Sequence, residues 1–450
     1  VEYTGLAGTL SNNNYKIVDT QYGTGTITRR RIDPTGFQVH KSDGSVANAT
    51  KVYDGNDRYT LPSGAYLTTP VAPSPTTGLV TRDYGKITFD LKSGSAGHFA
   101  SDADGNNLTS HVSEAQYVAY DVIARTSNAA TNPLSNYTFG SAAAEAAGTL
   151  KNLENITNAT PAHVTASGTI TPADLTMTTH NITKVYDAMA EHTDGNRNIV
   201  KGDTLVTFAG WKNNDAGRQE KRTNSSTAEY LGGYSVYGKD VAYDTLTEAV
   251  RTKDVNYTAQ LSGQYADDYQ IVDAANTVIS SAAGTGAGTT VTLNAPLTVV
   301  DAGKITPRAL KVKMADVSKT YDGDTSNTSA TVAEITDTVN SSVIGDILGD
   351  DNVTASYLTT RYNTMMGAAP GNYHSDYGRL TGTTFTPNPN ASNGTPHDVQ
   401  YTNMKKAFNA EFGTFSAGNY TMDADAYGKG TINRRDLNPN DFHVVDGMGA

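Results

Sequence analysis

Tandem β-sandwich units of the immunoglobulin-like kind are the fold class this sequence predicts, with a β-grasp-like variant as the alternative; either way the chain is all-β. Three observations lead there. Short runs of alternating apolar and polar residues lie between turns rich in Asp, Asn, Gly and Ser. Hydrophobic residues amount to only 37%, with 26 tyrosines against a single tryptophan, Trp211. That suits several thin cores, with Thr and Tyr on half-buried strand faces, better than one large core. Three motifs also return in the same order at one period, the signature of a repeat architecture.

The first motif is Lys51-Val52-Tyr53-Asp54-Gly55, then Lys184-Val185-Tyr186-Asp187-Ala188, then Lys319-Thr320-Tyr321-Asp322-Gly323; its tyrosines lie 133 and 135 positions apart. The second is Gly-x-Ile-Thr or a near variant, at Gly25 to Thr28, Gly168 to Thr171, Gly303 to Thr306 and Gly430 to Asn433. The third, an Asx-Tyr pair, precedes each of these at Asn14-Tyr15, Asn136-Tyr137, Asp268-Tyr269 and Asn419-Tyr420. The two ends match each other as well. Shifted by 405 positions without a gap, Arg29-Arg30, Pro34, Phe37 and Val39 fall on Arg434-Arg435, Pro439, Phe442 and Val444. The expected organisation is the end of one repeat (1–31), three full repeats (32–171, 172–306, 307–433) and the start of another (434–450).

Local patterns supply the elements. Leu310, Val312 and Met314 alternate with Lys311 and Lys313 as a half-buried strand would; Ile87, Phe89 and Leu91, and Val118, Tyr120 and Val122, do the same. Leu205 to Trp211 is more continuously apolar, as in a strand covered on both faces. Two helices are expected, over Ala142 to Ile156 and over Met404 to Phe412, where Met404, Phe408 and Phe412 are spaced by four; the second, packed on a sheet, is what the β-grasp variant needs. The Ala/Gly/Thr-rich inserts Ser141 to Ser167 and Ala274 to Ala302 are open to three readings: loops, extra hairpins or covers over sheet edges. Between repeats no flexible linker intervenes, and at two joints proline follows Thr, at Pro172 and Pro307, which fixes φ and stiffens the crossing.

Composition excludes several roles. With 34 Lys+Arg against 46 Asp+Glu, a net charge of −12, the chain has no basic surplus for nucleic-acid phosphates or anionic lipid. It has no cysteine, hence no disulfide, thiolate nucleophile or Cys-bound metal. No apolar run approaches the roughly 20 residues a membrane helix needs.

The Lys-x-Tyr-Asp-Gly, Asx-Tyr and Gly-x-Ile-Thr-Pro elements, in that order and spacing, resemble the YDG and MBG repeats of large secreted bacterial adhesins of the filamentous-haemagglutinin-like kind. The likeness covers nearly the whole chain; Ala188 in place of Gly and Asn433 in place of Thr depart from it. It implies extracellular display at a cell surface and a spacer or adhesive role, and supplies no ligand. The expected function is a stalk that holds an adhesive part away from the cell. The alternatives are the repeating subunit of a polymeric filament, and a module in which exposed tyrosines bind host glycan or mucin. The expected partners are accordingly neighbouring repeats, other copies in a fibre, or surface glycans.

Each residue group that could carry chemistry also has a role in the fold itself. In Tyr53-Asp54-Gly55, Tyr186-Asp187 and Tyr321-Asp322-Gly323, Asp suits a turn closed by its own side chain, Gly a positive φ, and Tyr a ring laid across a strand pair. Asp102, Asp104 and Asn106, and Asp350, Asp351 and Asn352, are oxygen-rich turns of the kind calcium uses, though the ion takes about six to eight oxygens and neither has the downstream Glu of an EF-hand. Lys51, Lys184 and Lys319 each stand two residues before the tyrosine, and Asn136, Asp268 and Asn419 late in each repeat. Condensation of such a lysine with such an amide or acid would make an isopeptide crosslink; a lysine guarding a strand edge is the simpler reading. The nine histidines form no metal-binding pair, and no nucleophile elbow, phosphate loop or dinucleotide fingerprint occurs. No acid other than that of Tyr-Asp recurs in register, so an enzyme is not expected.

Overall fold

The computed structural model describes residues 2–4, 20–68, 78–127, 132–217, 222–232, 238–244, 246–247, 249–283, 288–338, 354–409 and 417–442. The chain is mostly β, arranged in multiple sheets. Among the described residues no sheet joins strands from opposite sides of Pro172 or of Pro307, so three blocks follow one another along the chain.

One topology recurs in all three. The opening strand of each block (Arg30–Ile32, starting two residues before the expected boundary at 32, Ala173–Thr179 and Arg308–Met314) pairs in parallel with its Asx-Tyr strand, matching Arg30 to Tyr137, Ala173 to Tyr269 and Arg308 to Tyr420. The Lys-x-Tyr strand (Ala49–Val52, Ile182–Val185, Val317–Thr320) pairs in parallel with the closing strand (Ala162–Thr171, Leu297–Thr306, Ala426–Asn433). Its register matches Lys51 to Ile170, Lys184 to Ile305 and Lys319 to Ile432. A central strand then runs antiparallel to the closing one: Tyr117–Thr126, Lys253–Thr258 and His397–Tyr401.

These parallel pairs decide where the motifs go. A strand parallel to the closing strand ends where the closing strand leaves the block, so Tyr-Asp-Gly sits at the exit. A strand parallel to the opening strand begins where the chain enters, so Asx-Tyr sits at the entrance. Each closing strand reaches the next opening strand across one residue, Pro172 or Pro307. The exit motif of one block and the entrance motif of the next must therefore meet.

Tyrosine fills the cores. Tyr120, Tyr137, Tyr186, Tyr230, Tyr257, Tyr269, Tyr362, Tyr377, Tyr401 and Tyr420 are all fully buried, where a richer chain would place leucine. The closing-strand isoleucines Ile170, Ile305 and Ile432 are buried too, while Ile27, in the same motif, is fully exposed. The motif's glycine answers to close approach. A Cβ at Gly430 would stand 2.5 Å from the Tyr377 ring, and one at Gly303 2.5 Å from Val255.

Several expectations change. The helix over Ala142 to Ile156 stops after Ala142–Ala146; Gly148 takes φ +67 and the Thr149 amide bonds the Ala144 carbonyl, a Schellman stop. A 3-10 turn, Leu153–Asn155, follows. The second helix covers Met404–Asn409, with Met404 and Phe408 buried; residues 410–416 lie outside the described part. A longer helix, Ala355–Ala368, had no sequence forecast, since its run of Thr and Tyr has poor helix propensity; Thr354 caps it and Leu358 and Tyr362 are its buried face. Around Leu205 to Trp211 the strand is only Val206–Ala209, and its end is exposed, not covered on both faces. The Ala274 to Ala302 insert is an extra hairpin, Ser280–Ala283 with Thr289–Leu293, running into the closing strand. The insert Ser141 to Ser167 holds the short helix, the strand Lys151–Asn152, the 3-10 turn and the first part of a closing strand.

Burial holds the tyrosine hydroxyls protonated. It pushes Tyr137, Tyr257 and Tyr401 up to about 12, and Tyr53, Tyr120, Tyr230 and Tyr269 higher still. A phenol raised in the folded chain keeps its contribution below its unfolded value near 10 and loses it as pH climbs toward the folded value. Tyrosine ionisation is followed by tyrosinate absorbance in an alkaline titration. The buried tyrosines should ionise only together with loss of near-ultraviolet circular dichroism. Smooth ionisation of all tyrosines without unfolding would contradict this packing.

Candidate functional site at the joints

The Lys-x-Tyr-Asp-Gly turn is organised around its lysine. The Lys184 ammonium donates to Asp187 Oδ1 at 2.7 Å, to the Met189 carbonyl at 2.6 Å and to the Glu191 carbonyl at 2.7 Å. Lys319 makes the same three bonds, to Asp322, Asp324 and Ser326, and Lys51 to Asp54, Asn56 and Arg58. Each ammonium also lies over an aromatic ring of the sheet, Phe99, Tyr230 or Tyr377, at 5.4 to 5.6 Å. The aspartate closes the turn as an Asx turn, accepting the amide two residues on, at Asn56, Met189 and Asp324. Gly55 and Gly323 take φ +83 and +87; Ala188 holds φ +62 in the same place, at about 1–2 kcal/mol for its Cβ.

The environments differ. Lys184 and Asp187 are both buried, whereas Asp54 and Asp322 are half-exposed. Burial pulls the Lys184 ammonium below the ordinary lysine value, against the hydrogen bond and charge of Asp187. The Lys319 hydrogen bond holds Asp322 below the usual carboxylate range.

This turn fixes the tyrosine at the exit. Its amide bonds the carbonyl of the last closing-strand residue: Tyr53 to Thr171 at 2.8 Å, Tyr186 to Thr306 at 2.9 Å, Tyr321 to Asn433 at 2.8 Å. The rings of Tyr53 and Tyr186 then leave their own block. Tyr53 meets Tyr269 edge-on, with centroids 5.3 Å apart and planes at 77°; Tyr186 meets Tyr420 at 5.3 Å and 78°. Two joints thus share one aromatic contact, worth about 0.5–1.5 kcal/mol beyond area burial. Where the sequence suggested a ring laid across a strand pair, the parallel register carries Tyr53 and Tyr186 past the sheet edge and into the neighbour.

Polar groups complete each joint. At the first, the hydroxyls of Tyr53 and Tyr269 both donate to Asp215 Oδ2, at 2.9 and 2.8 Å, and the Lys212 amide donates to the Tyr269 oxygen. Arg222 lies over the Tyr269 ring at 5.2 Å and near Asp215 and Asp268. Asp268 caps the Val112 amide of the preceding block at 2.9 Å and binds His111 Nδ1 at 2.9 Å; His111 in turn stacks on Tyr265 at 3.5 Å. At the second joint Asn419 does the work of Asp268. It accepts the Val241 amide at 2.9 Å and donates to Asp240 Oδ1 at 2.8 Å. Arg308 donates to Asp337 and, at 3.0 Å, to the Tyr186 carbonyl across the joint. Lys253 reaches the Asp240 carbonyl at 2.7 Å, and burial pulls its ammonium down to about 8.

The structure sorts the remaining candidates. Lys51, Lys184 and Lys319 meet the aspartate of their own motif, while Asp268 and Asn419 meet the preceding block and Asn136 is exposed. The lysines and the late Asx residues are therefore not the paired partners an isopeptide bond requires. Asp102 spends its carboxylate on Asn106 and Asn107, and Asp104 on Ser141. Among the described residues no cluster of three or more metal-ligating side chains forms; Asp350, Asp351 and Asn352 lie outside them. Sequence reading missed three buried acids: Asp83 and Asp215, which accept the Tyr137 and Tyr269 hydroxyls, and Asp337, which accepts from Arg308. Asp83 and Asp215 lie 132 positions apart, the same spacing as the tyrosines Tyr137 and Tyr269 that they bond, so the repeat itself carried a signal for them. Comparison with protein-family models, curated proteins and solved structures returns no match to this chain.

Truncating a buried lysine strands its acid. Lys184→Ala should destabilise the second block by about 3–5 kcal/mol, because Asp187 stays buried without its cation. Lys51→Ala, whose acid keeps its water, should cost much less. Denaturant unfolding of both variants checks the ranking, and equal losses would contradict it.

Proposed function

We propose that this chain is a structural stretch of a long extracellular adhesin or surface fibre, a stalk that projects an adhesive part from a bacterial cell. The observation that carries the reading is the joint. One residue separates successive blocks, and the recurring Tyr, Asp and Asx residues are spent on locking each block to the next. Such spending suits transmission of force better than turnover of a substrate, so the role is mechanical and not enzymatic. The motif order shared with YDG and MBG repeats supports the same reading. The finer fold that goes with it is an immunoglobulin-like sandwich variant, its thin core lying between the opening-strand sheet and the closing-strand sheet.

A second reading is the repeating subunit of a polymeric filament. The match of the two ends favours it. The 3-10 turn Pro34–Gly36, capped by Asp33, recurs 405 positions later as Pro439–Asp441, capped by Asn438.

Antibodies raised against the chain should label intact producing cells, and mild surface proteolysis should remove the label. Labelling only after permeabilisation would overturn the stalk reading. Electron microscopy of the same cells separates the two forms: loose tethers fit the stalk, ordered fibres of fixed pitch the filament. Pulled by its ends, the chain should resist extension until three separate unfolding events occur.

A further inference from the structure

We propose that Tyr321 and its turn form a docking face for the entrance of a further block of the first-block type, carried on the same chain after Arg434. The proposal rests on the tandem reading above and assigns the partner of one surface within it. Tyr321 has the backbone setting of its two counterparts, with its amide on the Asn433 carbonyl and Lys319 holding the turn. Its ring does not share their burial. Tyr53 is 3% exposed and Tyr186 0%, both beneath the next block's tyrosine, while Tyr321 is 41% exposed.

The entrance of the first block is the complementary half. Tyr137 donates to Asp83 at 2.8 Å and accepts the Val80 amide at 3.1 Å. Tyr269 does the same with Asp215 and the Lys212 amide, with the acid again three residues after the amide. At the first joint Asp215 also takes the hydroxyl of the preceding block's Tyr53. Asn136 is exposed, whereas Asp268 and Asn419, in the same place, are fully buried against the preceding block.

The sequence after the closing strand identifies the occupant. Arg434-Arg435 repeats Arg29-Arg30, and Leu437 and Phe442, both exposed, correspond to Ile32 and Phe37, buried in the first block's core. In the completed joint the Tyr321 hydroxyl donates to the acid corresponding to Asp83, and its ring meets the tyrosine corresponding to Tyr137. Arg435 reaches the Tyr321 carbonyl as Arg308 reaches that of Tyr186.

The test is a tandem chain, residues 1–434 followed directly by 30–450, with Tyr321→Phe in the second copy so that only the first reports. Both this chain and the 450-residue chain are nitrated with tetranitromethane and mapped by peptide mass spectrometry. In the 450-residue chain Tyr321 should react and Tyr53 and Tyr186 should not. In the tandem, Tyr321 nitration should fall by about tenfold or more, the residue reflecting local opening of the joint. Undiminished nitration of Tyr321 beside protected Tyr53 and Tyr186 would overturn the proposal and leave the stalk reading standing. Reactive Tyr53 and Tyr186 in the 450-residue chain would overturn both.

Discussion

The constraint on which this architecture depends is the parallel pairing of two short strands with the strands that enter and leave each block. Parallel pairing sends the Lys-x-Tyr strand toward the exit and starts the Asx-Tyr strand at the entrance. With one residue between blocks, the two tyrosines have nowhere to lie except against each other. The lysine-centred turn, the capping Asx and the buried acid are secondary devices that hold these rings in place.

Tyrosine suits the position for a reason leucine does not share. Its ring supplies apolar area, and its hydroxyl reaches an acid that would otherwise be a costly buried charge. The two internal joints solve the same problem with different groups. The first gathers Asp268, His111, Arg222 and Asp215 about the rings; the second puts the neutral amide of Asn419 where Asp268 stood and shares Arg308 between Asp337 and the Tyr186 carbonyl. Blocks with matched shapes and unmatched polar groups fit their own neighbours better than one another's, which favours a set order along the array.

Much of this was legible in the sequence. Alternation located strands such as those around Phe89 and Val312. What escaped was information that lives between blocks. A periodic Tyr looks like core whether it packs within a unit or across a boundary, and the parallel pairing that distinguishes the two leaves no local trace. Asp83 and Asp215 escaped although they keep the 132-residue spacing of Tyr137 and Tyr269, because a single Asp in a turn carries no local mark in a chain so rich in Asp turns. The helix Ala355–Ala368 escaped because its Thr- and Tyr-rich run advertises strand, and only the contacts of Leu358 and Tyr362 make it a helix.

The parallel register of the closing strand has a mechanical corollary. Tension applied along the chain leaves each block through that strand, whose bonds to the Lys-x-Tyr strand and to the central strand lie across the pull. Strands loaded this way slide and do not peel, so their bonds must fail as a group. A row of individually weak bonds then behaves as a single strong fastening, so a block with a meagre tyrosine core gains its resistance to extension from strand geometry.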